Sequence, residues 1–330
     1  MSAYDPVAAV EQWRSISLDR QLRWLRHVSG LVQKRYNGAS RPLNTKVASG
    51  GISYPTVYAV DTAHLAGAPL PFKDVSPNTF VAKYVPLTIL GEREVAFSER
   101  FSDSVGLRLH STSSLDRTVE LAFEHAEGSL LEVIEIDEVN LESTTAFASI
   151  ACRIAEVLYA FEKVQMIHGD IKPDNFFVVE RDGSSELRLG DFEWALSYPE
   201  YMRLMKDSDV AFGTCGYYPP EFFTDGRKTL RNPTTHDMFS YGVTLYALLF
   251  GSFPGERIFE NNKKDPDRAQ LSHLAYLVRD VYHQEMKHVL GELDVLPDLR
   301  ETILRAAHPL PQKRYQSFAD VLRKLEKYAV

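Results

Sequence analysis

An α+β fold is what the sequence predicts, and three observations predict it. Short stretches rich in Val, Tyr, Thr and Phe occupy residues 47–60, 79–85 and 118–123, as half-buried or buried strands do. From Ser143 to Lys163 the apolar residues Phe147, Ile150, Ile154, Val157, Leu158 and Phe161 recur at helical spacing. Strand-rich segments come first and helix-rich segments follow, which is the arrangement of an α+β chain.

Taken in order, residues from Asp5 to Tyr36 carry Val10, Trp13, Ile16, Leu22, Leu25, Val28 and Val32 at helical spacing. Pro6 sits near the start of one helix and Asp19 is placed to cap a second. The expectation is an accessory helical pair packed on a domain edge. Asn37-Gly38-Ala39-Ser40-Arg41-Pro42 is rich in turn formers and reads as a linker. The strands at 47–60 and 79–85 follow, with an enlarged hairpin loop over residues 63–71. Glu92 to Arg100 predicts a short helix, Thr118 to Phe123 a buried strand, and after the loop near residue 170 helices dominate. No repeat and no low-complexity segment interrupts this order.

Bulk composition narrows the function. The chain has 330 residues, 44% hydrophobic and 25% charged, long enough to bury a sizeable core. A formal charge of −8 with no basic block argues against nucleic acid or an anionic membrane as the main partner. Cys152 and Cys215 are the two cysteines, too few for a disulfide framework or a four-cysteine zinc site, which favours a reducing compartment. The start, MSAYDPVAAVEQW, lacks a charged segment followed by an apolar core, and the apolar stretch near Tyr241 to Phe250 is too short to span a bilayer. A cytoplasmic location without a membrane span is expected, leaderless export being compatible with the same sequence.

The densest chemistry lies in His168-Gly169-Asp170-Ile171-Lys172-Pro173-Asp174-Asn175, between the apolar residues Val164, Met166 and Ile167 and the run Phe176-Phe177-Val178-Val179. That reads as a short loop clamped between buried segments. Gly190-Asp191-Phe192 follows, preceded by Leu187 and Leu189, then Gly213-Thr214-Cys215-Gly216-Tyr217-Tyr218-Pro219-Pro220-Glu221 and Asp237-Met238-Phe239-Ser240-Tyr241-Gly242-Val243. In this order and spacing the segments resemble those of the eukaryotic-type protein kinase family, over roughly residues 45–328. The resemblance implies a bilobal fold, with a small β-rich lobe at 45–124 and a hinge and helical lobe at 125–330. Residues 1–44 are left as a helical extension and linker, where a regulatory partner is expected.

Carried over residue by residue, the resemblance gives Asp170 the orienting of a substrate hydroxyl, Lys172 the transferred phosphoryl group, and Asn175 and Asp191 a metal ion. Phe80-Val81-Ala82-Lys83 resembles the lysine-bearing strand, so Lys83 would grip the α/β-phosphates and Glu94 would pair with it. Phe123-Glu124-His125-Ala126 resembles the hinge, with backbone groups of Glu124 and Ala126 meeting adenine. Thr214 with Lys172 is the pairing of serine/threonine kinases. Glu221 would form a buried ion pair with Arg314, and Asp237 would hold the loop backbone. Implied cofactors are ATP and Mg²⁺, or Mn²⁺, and the implied partner is a protein bearing Ser or Thr.

Three departures qualify this. Ser49 to Val57 is the one candidate for the glycine-rich loop, with Pro55 where the third Gly belongs; Gly50 and Val57 would line the nucleotide. Gly169 replaces the Arg that usually precedes the catalytic Asp, removing the usual receptor for an activation-loop phosphate. Glu193 replaces the Gly after Asp191-Phe192; its carboxylate either joins the metal ligands or faces solvent or a nearby cation and only stiffens the backbone. A pseudokinase or scaffold, and a small-molecule phosphotransferase of the aminoglycoside or choline kinase type, are the alternatives these departures keep open.

Overall fold

A computed structural model describes residues 5, 7–8, 24, 27–28, 31–36, 40–42, 46–48, 52–54, 57–61, 79–102, 104–116, 118–136, 145–207, 212–223, 230–256, 281–292 and 296–328. They fall into two compact units: one formed by residues 8–127 and 177–193, the other by 1–7, 128–176 and 194–330.

In the first unit the strands are β1 (Ser40–Pro42), β2 (Lys46–Ala48), β3 (Ile52–Tyr54), β4 (Val57–Asp61), β5 (Thr79–Pro86), β6 (Leu109–Leu115) and β7 (Thr118–Glu124). Five of them form a sheet in the order β1-β4-β5-β7-β6, every pairing antiparallel, while β2 and β3 pair with each other. The strand expected over 47–60 is thus divided among β2, β3 and β4. Strand β6 escaped the sequence reading because its Ser-Thr-Ser-Ser run carries little apolar signal; it is an edge strand with alternating exposed positions.

The side-chain period of two sets what each face of the sheet packs against. On β5 and β7, Phe80, Ala82, Tyr84 and Ala122 share a core with Tyr58, Val60 and the helical residues Val28, Val32 and Tyr36. The alternate residues Val81, Val85, Val119, Leu121 and Phe123 face a second core with Leu107, Val179 and Val95. The N-terminal helical residues therefore cover one sheet face. Helix α1 (Ile89–Phe101) extends a little beyond the expected 92–100, because the Thr88 hydroxyl caps it by accepting the Gly91 N–H at 3.2 Å.

β8 (Gly128–Ser129) and β9 (Met166–Ile167) belong to the second unit, whereas β10 (Phe176–Arg181) and β11 (Ser184–Leu189) lie almost wholly in the first. The expectation of helices after the loop near residue 170 does not hold for this last pair. Asp182 and Gly183 join them with φ of 51° and 77°, as a two-residue hairpin requires, so the Asp-Gly dipeptide was the signal passed over.

The second unit is helical: α2 (Leu130–Ile136), α3 (Thr145–Lys163), α4 (Tyr198–Asp207), α5 (Thr234–Phe250), α6 (Tyr282–Glu292), α7 (Pro297–Ala306) and α8 (Phe318–Leu325). Helix α3 starts within two residues of its expected Ser143 and buries Phe147, Ile154, Leu158 and Phe161 along one stripe. α5 is buried almost all round, including His236 and Asp237, so these polar groups need partners inside the protein. Tyr241 on α5 donates to the Ala151 carbonyl of α3 at 3.0 Å, and Glu162 of α3 accepts the Phe318 N–H of α8 at 2.7 Å. The short strand β12 (Leu196–Ser197) pairs with β9, Leu196 opposite Ile167. Among the described residues no helix is long and apolar enough to cross a membrane.

Candidate active site

The loop that leaves β9 is held by its backbone. Asp237, buried on α5, accepts the His168 N–H at 2.6 Å and the Gly169 N–H at 3.0 Å. Burial pushes the Asp237 carboxyl up to about 7 against the pull of those two N–H groups. Asn175, at the end of a 3₁₀ turn over Pro173–Asn175, donates from Nδ2 to the Asp170 carbonyl at 2.7 Å and to Oδ2 at 3.2 Å. Lys172 Nζ lies 3.3 Å from the same Oδ2 and donates to Thr214 Oγ1 at 2.8 Å. One oxygen of the buried Asp170 carboxylate is thus fixed. The other, Oδ1, has no hydrogen-bond donor among the described residues.

Gly169 has a reason of its own. Its φ is +79°, and a Cβ there would meet the Trp194 carbonyl at 2.7 Å and the Phe212 ring at 2.8 Å. An arginine side chain has no room to leave this position. Phe212 instead stacks on His236, ring centres 5.4 Å apart and planes 7° from parallel, and on Trp194 at 5.7 Å. Tyr201 of α4 is fully buried and completes the aromatic cluster from the side. Burial, then Arg314, holds the His236 imidazole down at about 3, so it sits neutral, with a hydrogen bond to Gly169 opposing the shift. Gly213 approaches from the other side: a Cβ there would come within 2.4 Å of the Gly169 carbonyl. The cluster could have been suspected from Phe212 and His236, which immediately precede Gly213 and Asp237. Glu221 and Arg314 form the expected buried pair through two contacts of 2.7 Å, and Arg314 also donates to the Thr235 and His308 carbonyls.

In the first unit Lys83 donates at 2.7 Å to both Glu94 of α1 and Asp191. Burial alone would lower the Lys83 ammonium; Asp191 and Glu94 outweigh it and hold the group well above the ordinary lysine range. Asp191 has φ +65°, a conformation that Asp tolerates better than most residues, and the Phe192 ring beside it is buried against Phe101, centres 5.6 Å apart. Glu193 is half-buried in the 3₁₀ turn Phe192–Trp194. Val57 pairs with Lys83 across β4 and β5, whereas Gly50 lies outside the described residues.

Glu124 is held more tightly than its sequence suggests. Its N–H donates to the Arg108 carbonyl at 2.8 Å, and its carboxylate takes the Arg108 N–H at 2.6 Å and a forked contact from Arg181. Ala126 packs on the core that contains Phe123.

The donors suit a hard divalent cation. In the second unit, Nδ2 of Asn175 is committed to Asp170, which leaves its Oδ1 as the free amide atom; in the first, the Asp191 carboxylate pairs with Lys83. Among the described residues no group of three or more His, Cys, Asp or Glu gathers into a cage, so a bound cation would draw much of its shell from water and phosphate oxygens, as Mg²⁺ does.

Comparison with known proteins places the chain in a family. The protein kinase domain family matches residues 88–324. Lys83 falls outside that stretch, so geometry rather than the match brings it to Glu94. The serine/threonine-protein kinase dkf-2 of Caenorhabditis briggsae is 26% identical over 227 residues, 66% of this chain and 18% of that protein. The Arabidopsis thaliana leucine-rich repeat receptor-like serine/threonine/tyrosine-protein kinase SOBIR1 is 33% identical over 147 residues, 43% of this chain and 22% of that protein. Aurora/IPL1-related protein kinase 2 of Caenorhabditis elegans is 24% identical over 214 residues, 64% of each. The chain therefore spans about a fifth to two thirds of these relatives. With most of its length matched by the family model, the chain belongs to the protein kinase domain family, a family of transferases that use ATP and a divalent cation.

Proposed function

We propose that this protein is a serine/threonine protein kinase, transferring the γ-phosphoryl group of ATP with Mg²⁺, or Mn²⁺ in its place. Asp170 carries the reading: a buried carboxylate with Oδ2 held by Asn175 and Lys172 presents Oδ1 to a donor. A Ser or Thr hydroxyl donating there is oriented for attack. Its oxygen forms the new bond to the γ-phosphorus, the bond to the β–γ bridging oxygen breaks with its electron pair leaving on ADP, and the hydroxyl proton passes to Asp170. Lys172 offsets charge on the γ-phosphoryl oxygens, with Thr214 fixing its chain. Lys83, braced by Glu94, holds the α/β-phosphates; backbone groups of Glu124 and Ala126 meet adenine, and Gly50 and Val57 line the nucleotide. Asn175, Asp191 and Glu193 would hold the cation, which supplies charge neutralisation on the phosphates when bound. Two cysteines are too few for a disulfide framework, which supports a reducing compartment, and we place the enzyme in the cytoplasm.

The test is phosphate transfer from labelled ATP to a generic basic protein, with Mg²⁺ or Mn²⁺. Asp170→Asn keeps the shape and removes the base, so kcat should fall about 1000-fold with the KM for ATP within about twofold. ATP binding without transfer under either ion would make the chain a nucleotide-binding scaffold instead. Transfer to small alcohols but not to protein would make it a small-molecule phosphotransferase.

A further inference from the structure

The N-terminal helical residues lie outside the family match and have no part in the reaction above, yet they are bonded into the sheet by more than apolar packing. Val28, Val32 and Tyr36 are buried against Phe80, Ala82 and Tyr84 of β5. Trp24 Nε1 donates to Thr118 Oγ1 at 3.0 Å. At the centre is Glu120 of β7, 1% exposed. Its Oε2 accepts the Tyr36 hydroxyl at 2.6 Å and the Tyr84 hydroxyl at 2.5 Å, and Arg35 pairs with Oε1 at 3.1 Å. A buried carboxylate is stable only with such a set of donors, so the four residues act as a unit.

The position of that unit on β5 matters. Tyr84 lies opposite Glu120 in the strand register, and Lys83 is the next residue, opposite Leu121. Because neighbouring side chains point to opposite faces, the network grips one face of β5 while the Lys83 ammonium, on the other, reaches Glu94 and Asp191. The strand is thereby clamped at the residue beside the lysine.

We propose that the Tyr36–Glu120–Tyr84–Arg35 network positions Lys83, making the N-terminal helical segment a built-in part of the nucleotide site. Tyr36 and Glu120 are positioning residues in this account. That Lys83 holds nucleotide rests on the kinase reading; that the network fixes its ion pairs does not.

The test separates the two. In the full chain without nucleotide, the acylation rate of Lys83 by an amine-reactive ester is read by mass spectrometry, with Lys163, exposed at the end of α3, as internal reference. Tyr36→Phe removes one hydroxyl and keeps the ring; Glu120→Gln removes the charge. Either should raise Lys83 acylation about fivefold relative to Lys163, as loss of one buried hydrogen bond loosens the strand. Val32→Ala removes packing alone and should lower the thermal midpoint without that rise. The KM for ATP in Tyr36→Phe should increase about threefold with kcat almost unchanged. Unchanged Lys83 acylation in both network variants would overturn the proposal, as would an equal rise in Val32→Ala, since packing would then explain it. A rise in Lys83 acylation in a chain that binds no ATP would leave the network standing and refute the kinase reading.

Discussion

The His168–Asn175 loop of the second unit and the Lys83 site of the first hold their polar groups by different means. Around Asp170 the partners come from the same short stretch, Asn175 and Lys172, and from one buried helix bearing Asp237. Around Lys83 they come from two elements far apart in sequence, α1 and the turn at Asp191. A loop whose constraints are local keeps its shape when distant contacts weaken. A lysine held by long-range pairs depends on the packing of the whole unit, and that contrast orders what should happen on mutation.

The largest effect is expected at Arg314. It is buried with Glu221, and Arg314→Ala would leave that carboxylate inside without its partner. Loss of about 3–5 kcal/mol is expected, read as a lower urea midpoint. If local bonding suffices for the loop, a domain still folded at low temperature should retain the kcat of the parent. A kcat that falls in step with the midpoint would show that the loop relies on distant support as much as the lysine does.

Lys83→Met should come next. Transfer should drop at least about 100-fold, equivalent to about 2.7 kcal/mol. The geometry adds a stability effect, because Glu94 is 1% exposed and Lys83 bridges it to Asp191. Removing the ammonium leaves a buried carboxylate facing a second acid, so unfolding free energy should fall by about 3 kcal/mol. The double variant Lys83→Met, Glu94→Gln should recover most of that stability and none of the activity. A single variant as stable as the parent would show Glu94 finding other partners, and the dependence on long-range pairs would then be weaker than drawn.

The same contrast decides what could be read from the sequence. The loop from His168 to Asn175 was legible because its polar residues are contiguous and name their own partners, and Asp237 and Arg314 sit in recognisable company. Thr145–Lys163 and Thr118–Glu124 were legible because one periodicity dominates each. What was hidden depends on folding bringing distant residues together. Nothing near Glu120 points to Tyr36, 84 positions away, and nothing near Glu124 points to Arg181. Gly169 reads from the sequence only as a missing cation; the aromatic stack of Trp194, Phe212 and His236 that fills its surroundings is brought together only by the fold.

That stack gives the smallest and most specific prediction, because His236 is neutral in the fold and titrates in the unfolded chain. Its folded pKa is depressed from 6.5 to about 3, first by burial and then by Arg314. A depressed group contributes stability that is present above the unfolded value and lost as pH falls from 6.5 towards 3, since the unfolded chain takes up a proton that the fold refuses. Asp237 works in the opposite sense. Its folded pKa is raised from 3.8 to about 7, so its contribution is fully present below 3.8 and disappears as pH rises through 7. Between pH 7 and pH 5 the two neighbours on α5 nearly offset each other. His236→Gln keeps a donor for Gly169 and removes the titration. Urea unfolding of parent and variant at pH 7 and pH 5 should show the difference between them shifting by about 2 kcal/mol in favour of the variant at the lower pH. A difference independent of pH would mean that His236 is protonated in the fold, and the Phe212 stack would then carry a charge against the catalytic loop rather than a neutral ring.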